Sequence, residues 1–102
     1  MPEFILLMYR DVKDRALADD GQRWEAYFTK LRASGGFLGG SSIGRGVRMR
    51  KASATAPSDP GLEGFIRIEC ASLEAAQTLV DGNPNYEAGG TVEVRELPKD
   101  ES

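Results

Sequence analysis

Residues 62–70, LEGFIRIEC, narrow the folds open to this chain more than any other stretch. Leu62, Gly64, Ile66, Ile68 and Cys70 fall on one face of an extended chain, and Glu63, Phe65, Arg67 and Glu69 on the other, because successive strand side chains point to opposite sides. The first face is apolar, and the second mixes an aromatic ring with charges. Such a strand belongs in the middle of a small sheet with one face on the core and the other toward water or a polar cavity.

A second strand is expected at residues 4–9, FILLMY, a continuous apolar run that suits burial on both faces and a place beside residues 62–70. The run is too short to cross a membrane and has no basic residues ahead of it, so it reads as a strand and not as a signal segment. Residues 11–21 show no sustained apolar period; a short helical turn there is read as unimportant. In residues 22–34 Trp24, Tyr27, Phe28 and Leu31 recur at helical spacing opposite Arg23, Glu25, Lys30 and Arg32, and Gly35-Gly36 can cap the helix end.

Residues 37–49 alternate weakly between glycines, which predicts an irregular edge strand with a bulge. The run GGFLGGSSIGRG resembles a phosphate loop but lacks its GK[ST] ending, and it leads out of a helix into a strand. Residues 51–61, KASATAPSDPG, read as a mobile hairpin connection. Ser72 is placed to cap a second helix ending near Asp81-Gly82, Asn83-Pro84-Asn85-Tyr86 reads as a turn, and residues 91–97 alternate as a last strand.

The order strand, helix, strand, strand, helix, strand is the split βαβ arrangement of a ferredoxin-like α+β domain, with an antiparallel sheet in the order 4-1-3-2 and both helices on one face. At 102 residues the chain holds one domain and one core. One apolar set of the first strand, for example Ile5, Leu7 and Tyr9, is then left uncovered by helices. A homodimer packed sheet to sheet would bury it and enclose Phe65, Arg67, Glu69, Glu93 and Arg95.

Composition removes several chemistries. The chain has no histidine and one cysteine, so it lacks Ser-His and Cys-His pairs, an internal disulfide and a metal-ligand pattern. No cofactor or metal is expected. Cys70 reads as a small core residue, and an unpaired thiol suits a reducing cytoplasm. The net charge of −3 argues against nucleic acid, although Arg32, Arg45, Arg48, Arg50 and Lys51 form a local basic group.

The segments FILLMYRD, WEAYFTKLRASGGFLGG, GFIRIECASLEAA and NPNYEAGGTVEVREL together resemble the YCII-related, DGPF-domain family of dimeric α+β barrel proteins, over nearly the whole chain. That resemblance implies a ferredoxin-like fold and a barrel-forming dimer. It also implies a largely uncharacterised function, with some members similar to small lyases or monooxygenase-like barrels and some associated with sigma-factor-type regulators. The chain has no histidine for the His-Asp pair proposed in one branch, and SDPGLEGF stands where the DGPF segment usually does.

Three functions follow as expectations. In the first, a small anionic or aromatic molecule binds in the dimer cavity, held by Arg67, Glu69 and Arg95 with Tyr9 and Phe65 as apolar wall and Trp24 nearby; the competing reading pairs Arg67 with Glu69 and Glu93 with Arg95 across neighbouring strands. In the second, an enzyme uses Glu69, Asp11 or Tyr86 as acid or base. In the third, a structural or regulatory dimer uses its glycine-rich edge strand as the contact surface.

Overall fold

The computed structural model describes residues 1–58 and 61–99. Four strands form one antiparallel sheet: β1 (Glu3–Tyr9), β2 (Phe37–Ser42), β5 (Leu62–Glu69) and β6 (Val92–Leu97), in the spatial order β2-β5-β1-β6. Counting only these four, the order is the expected 4-1-3-2. Two further strands, β3 (Val47–Arg48) and β4 (Ala56–Pro57), make a separate ribbon between β2 and β5.

Side-chain parity decides which residues fill the core. Burial alternates strictly along β1, with Phe4, Leu6 and Met8 buried and Ile5, Leu7 and Tyr9 half-buried. Gly64, Ile66 and Ile68 of β5 share the buried side, and Val92 and Val94 of β6 pack against the same core. On the opposite, open face the register sets Ile5 between Arg67 and Arg95, and Leu7 between Phe65 and Glu93. The two faces are therefore divided as the alternation predicts.

The helix α2 (Gly21–Ala33) covers the core with Tyr27 and Leu31. It starts where Asp20 accepts from the Gln22 amide, and Gly35, at φ 81°, turns the chain past its end. The helix α3 (Leu73–Thr78) is capped by Ser72 as expected, but it stops short of Asp81-Gly82. Leu79 and Val80 donate to carbonyls only three residues back, which tightens the last turn and ends the α-helix.

Two further helices are short: the first is the helical turn allowed for residues 11–21, and the second corrects the reading of its segment. Arg15–Ala18 forms α1, capped by Asp14, and Pro84–Glu87 forms α4, where a turn was expected. In α4, Asn83 is the cap and Pro84 takes the first helical position, where its missing N–H costs nothing. The edge strand β2 ends at Ser42, not Met49, and its bulge lies between Phe37 and Gly39. Residues 51–61 carry β4; Asp59 and Pro60 lie outside the described residues. Cys70 is half-buried against the core rather than fully inside it.

A cavity between the aromatic helix and the glycine floor

A cavity of about 420 Å³ lies on the helix side of the sheet. Its existence follows from two positions without side chains. Ser42 pairs with Gly64 and Gly40 with Ile66, and directly opposed residues share a face, so Gly40, Ser42, Gly64 and Ile66 form one patch of floor. Across it stand Trp24 and Phe28 of α2, stacked with ring centroids 5.6 Å apart. A Cβ at Gly64 would stand 3.0 Å from Met8 Cε, so that position is held close to the core. Gly40 is also required sterically, since a Cβ there would press into the Phe65 carbonyl oxygen and stand 3.0 Å from the Ile66 Cα.

The polar end of the cavity is formed by Asp19, Glu63 and Asn85. Glu63 is the residue of β5 passed over at the register shift, where Tyr9 lies opposite Leu62 and Met8 opposite Gly64, and its side chain is only 16% exposed. Arg15 clamps it with two bonds, Nη1 to Oε1 at 3.1 Å and Nη2 to Oε2 at 3.2 Å. Asn85 donates to Glu63 Oε1 at 2.9 Å and to the Tyr9 carbonyl at 3.3 Å, and Arg10 stands 4.0 Å from Oε2. Burial by itself would raise the Glu63 pKa. The Arg15 bonds, the Asn85 amide and the two guanidinium charges outweigh it and hold the carboxyl below its usual range. Glu63 is thus an ionised hydrogen-bond acceptor at neutral pH and a weak base.

Trp24 donates its indole N–H to the Ala18 carbonyl at 2.6 Å, which fixes the ring against the end of α1. Arg15 also reaches Asp19 at 3.3 Å, so α1 is tied to both β5 and its own last turn. The residues around the polar end therefore come from α1, α4 and the start of β5, segments far apart in sequence. Asn83, fully buried, donates to Met8 Sδ at 3.4 Å and anchors α4 to the core.

The side chains expected to hold a ligand sit elsewhere. Arg67, Glu69 and Arg95 are on the open face; Arg67 donates to Glu3 at 3.0 Å, Arg95 to Glu93 at 3.2 Å, and Glu69 stands 3.8 Å from Lys99. In place of Glu69, Arg67 pairs across strands with Glu3, its diagonal neighbour on the same face of β1, since Ile5 lies opposite Arg67 and Glu3 opposite Glu69. Glu93 and Arg95 pair along their own strand.

Tyr9 donates to Glu93 Oε1 at 2.9 Å and borders a shallower hollow with Asp11 and Thr91, and that bond with the Arg95 contact lowers the Glu93 pKa. Of the five residues, Phe65 alone also borders the helix-side cavity. Asp11 accepts from the Thr91 hydroxyl at 2.6 Å and amide at 2.8 Å, which lowers its pKa, and Tyr86 is exposed on α4. Among the described residues no three His, Cys, Asp or Glu side chains are placed to share a metal ion.

A four-stranded antiparallel sheet backed by helices on one face defines a ferredoxin-like α+β domain. The chain belongs to the YCII-related domain family, whose profile matches residues 3–99. A solved structure of similar fold is the 5-chloro-2-hydroxyhydroquinone dehydrochlorinase from Burkholderia phenoliruptrix AC1100, in complex with 2,5-dihydroxybenzoquinone. It is 16% identical, with a TM-score of 0.53 over 94% of this chain and 95% of that one. No curated protein matches the chain.

Proposed function

We propose that the protein binds a small ring-bearing molecule in the cavity beneath Trp24 and Phe28. The observation that carries this reading is the arrangement of the cavity: a stacked aromatic wall, a floor of glycine backbone, and one clamped, ionised carboxylate at the end. Its volume is within the roughly 300–1,000 Å³ typical of ligand pockets. A flat ring would slide between the indole and the floor, and a donor on that ring would meet Glu63. The dehydrochlorinase of similar fold is itself described with a ring compound, which agrees with this reading without carrying it. Binding suits the site better than proton abstraction, because Arg15 and Asn85 make Glu63 a poor base.

Trp24 is the single tryptophan, so its emission reports directly on the cavity. Titration with single-ring phenols and quinones should quench it saturably, and Ser42→Phe, which puts a ring into the mouth from the floor side, should abolish the effect. Unchanged emission and unchanged melting temperature across the whole panel would overturn the reading.

The same reading includes a homodimer. Ile5, Leu7, Tyr9 and Phe65 give the open face an apolar centre that no helix among the described residues covers. Two copies packed sheet to sheet would bury it, and would bring Arg67, Glu69 and Arg95 of each copy around a second, enclosed space where an anion could be held. The free Cys70 thiol accords with a reducing compartment such as the cytoplasm. Among the described residues no helix is long and apolar enough to cross a membrane.

A further inference from the structure

The ribbon β3–β4 stands out from the rest of the chain in exposure and charge. Residues 44–57 are all exposed, fourteen in a row, although they include a hydrogen-bonded ladder. At its base Gly46 and Ser58 exchange two bonds, at 3.1 and 3.2 Å, and the register sets Val47 opposite Pro57 and Arg48 opposite Ala56. Strand alternation then puts Val47 and Met49 on one face and Arg48 and Arg50 on the other. Val47 is 67% exposed and Met49 79%, among the most exposed large apolar residues of the chain. A ribbon with two residues per strand and no cover is marginal by itself in water, so a surface that packs against it would contribute much of its order.

The charge separation says what that surface is. Residues 44–58 hold Arg45, Arg48, Arg50 and Lys51 and no acidic residue. Four of the thirteen basic residues and none of the sixteen acidic residues are in the arm, so the remainder has nine cations against sixteen carboxylates, a net charge of −7. None of the four arm cations makes an ion pair among the described residues. A compact acidic body is repelled by nucleic acid and by anionic membranes, but it attracts the arm of another molecule like itself.

We infer that the arm, residues 44–58, is a clasp that docks on the acidic body of a second copy of this chain, Arg48 and Arg50 toward carboxylates and Val47 and Met49 against apolar surface. This deepens the homodimer reading, and a two-fold arrangement applies the contact twice, once from each arm.

The test is sedimentation of the full chain at about 0.02 and about 0.5 M salt, where the screening length is roughly 20 and roughly 4 Å. The wild-type dimer should weaken as salt rises. The double variant Arg48→Glu/Arg50→Glu should raise the dimer dissociation constant about tenfold or more at low salt and lose the salt dependence. Arg48→Ala/Arg50→Ala should fall between them, and circular dichroism should show all three equally folded, since the substituted side chains are exposed. A dimer of unchanged affinity in both variants leaves the sheet-to-sheet reading standing and overturns the clasp. A wild-type monomer at every salt overturns both. Salt-sensitive binding of the wild type to duplex DNA or to anionic vesicles, without self-association, assigns the arm to another partner and also overturns the clasp.

Discussion

Glu63 owes its chemistry to three residues, Arg15, Asn85 and Arg10, none of which is its neighbour in sequence. Glu63→Gln keeps the shape but removes the charge that the Arg15 fork grips, leaving a half-exposed guanidinium without its bidentate partner. The expected cost is about 1 kcal/mol, measured by urea unfolding at pH 7, since the pair is partly solvated. The pH dependence has a definite sign. A carboxyl whose folded pKa lies below its usual 4.5 stabilises the fold above that value and loses the contribution as pH falls through the folded pKa. The difference in stability between wild type and Glu63→Gln should therefore be full at pH 7 and shrink below about pH 4.5. Gly40→Ala tests the floor: its Cβ meets β5 backbone, which cannot move aside as a side chain end can, and a loss of about 2–3 kcal/mol is expected in the same assay. Neither residue stands out in the sequence. A glutamate in an alternating strand reads as a solvent-facing charge, and a glycine in a glycine-rich run reads as looseness, until the facing strand is known.

The long elements follow from local patterning. In α2 the spacing of Trp24, Tyr27, Phe28 and Leu31 gives the helix and its buried side, and Asp20 gives its start. Asp20→Ala should cost about 1 kcal/mol of stability through loss of the cap to Gln22, read from thermal melts, with the fold retained. Elements of four residues are another matter. An isolated turn of helix is unstable, and α1 and α4 exist because tertiary contacts hold them: Arg15 on Glu63, the Lys13 and Asp14 amides on the Ala88 carbonyl, and Asn83 on Met8. The candidate site is built largely from these two elements, which accounts for its being hard to see in the sequence. Trp24 was visible as a residue of an apolar helix face, but helical spacing does not tell a ring that fills the core from one that roofs a cavity.

The assembled molecule has an open sheet face whose centre is apolar and whose rim is charged. Leu7→Arg would place a charge at the middle of the proposed sheet-to-sheet contact while leaving the core, on the other side of β1, untouched. Light scattering should find wild type as a dimer at low micromolar concentration and Leu7→Arg as a folded monomer. A wild-type monomer would show that the charged stems of Arg67 and Arg95 are cover enough for Ile5 and Leu7.

Strand and helix positions, the order of the four main strands and the division of β1 and β5 into two faces depend on periods of two and 3.6 residues, and a period is a property of the chain alone. Those features were legible, as was the family resemblance they support. The partners of Arg67 depend on register, the Glu63 clamp depends on three segments meeting at the end of the sheet, and the cavity depends on which side chains are missing where strands lie opposite one another. These are relations between distant residues, and only the packed chain brings them together.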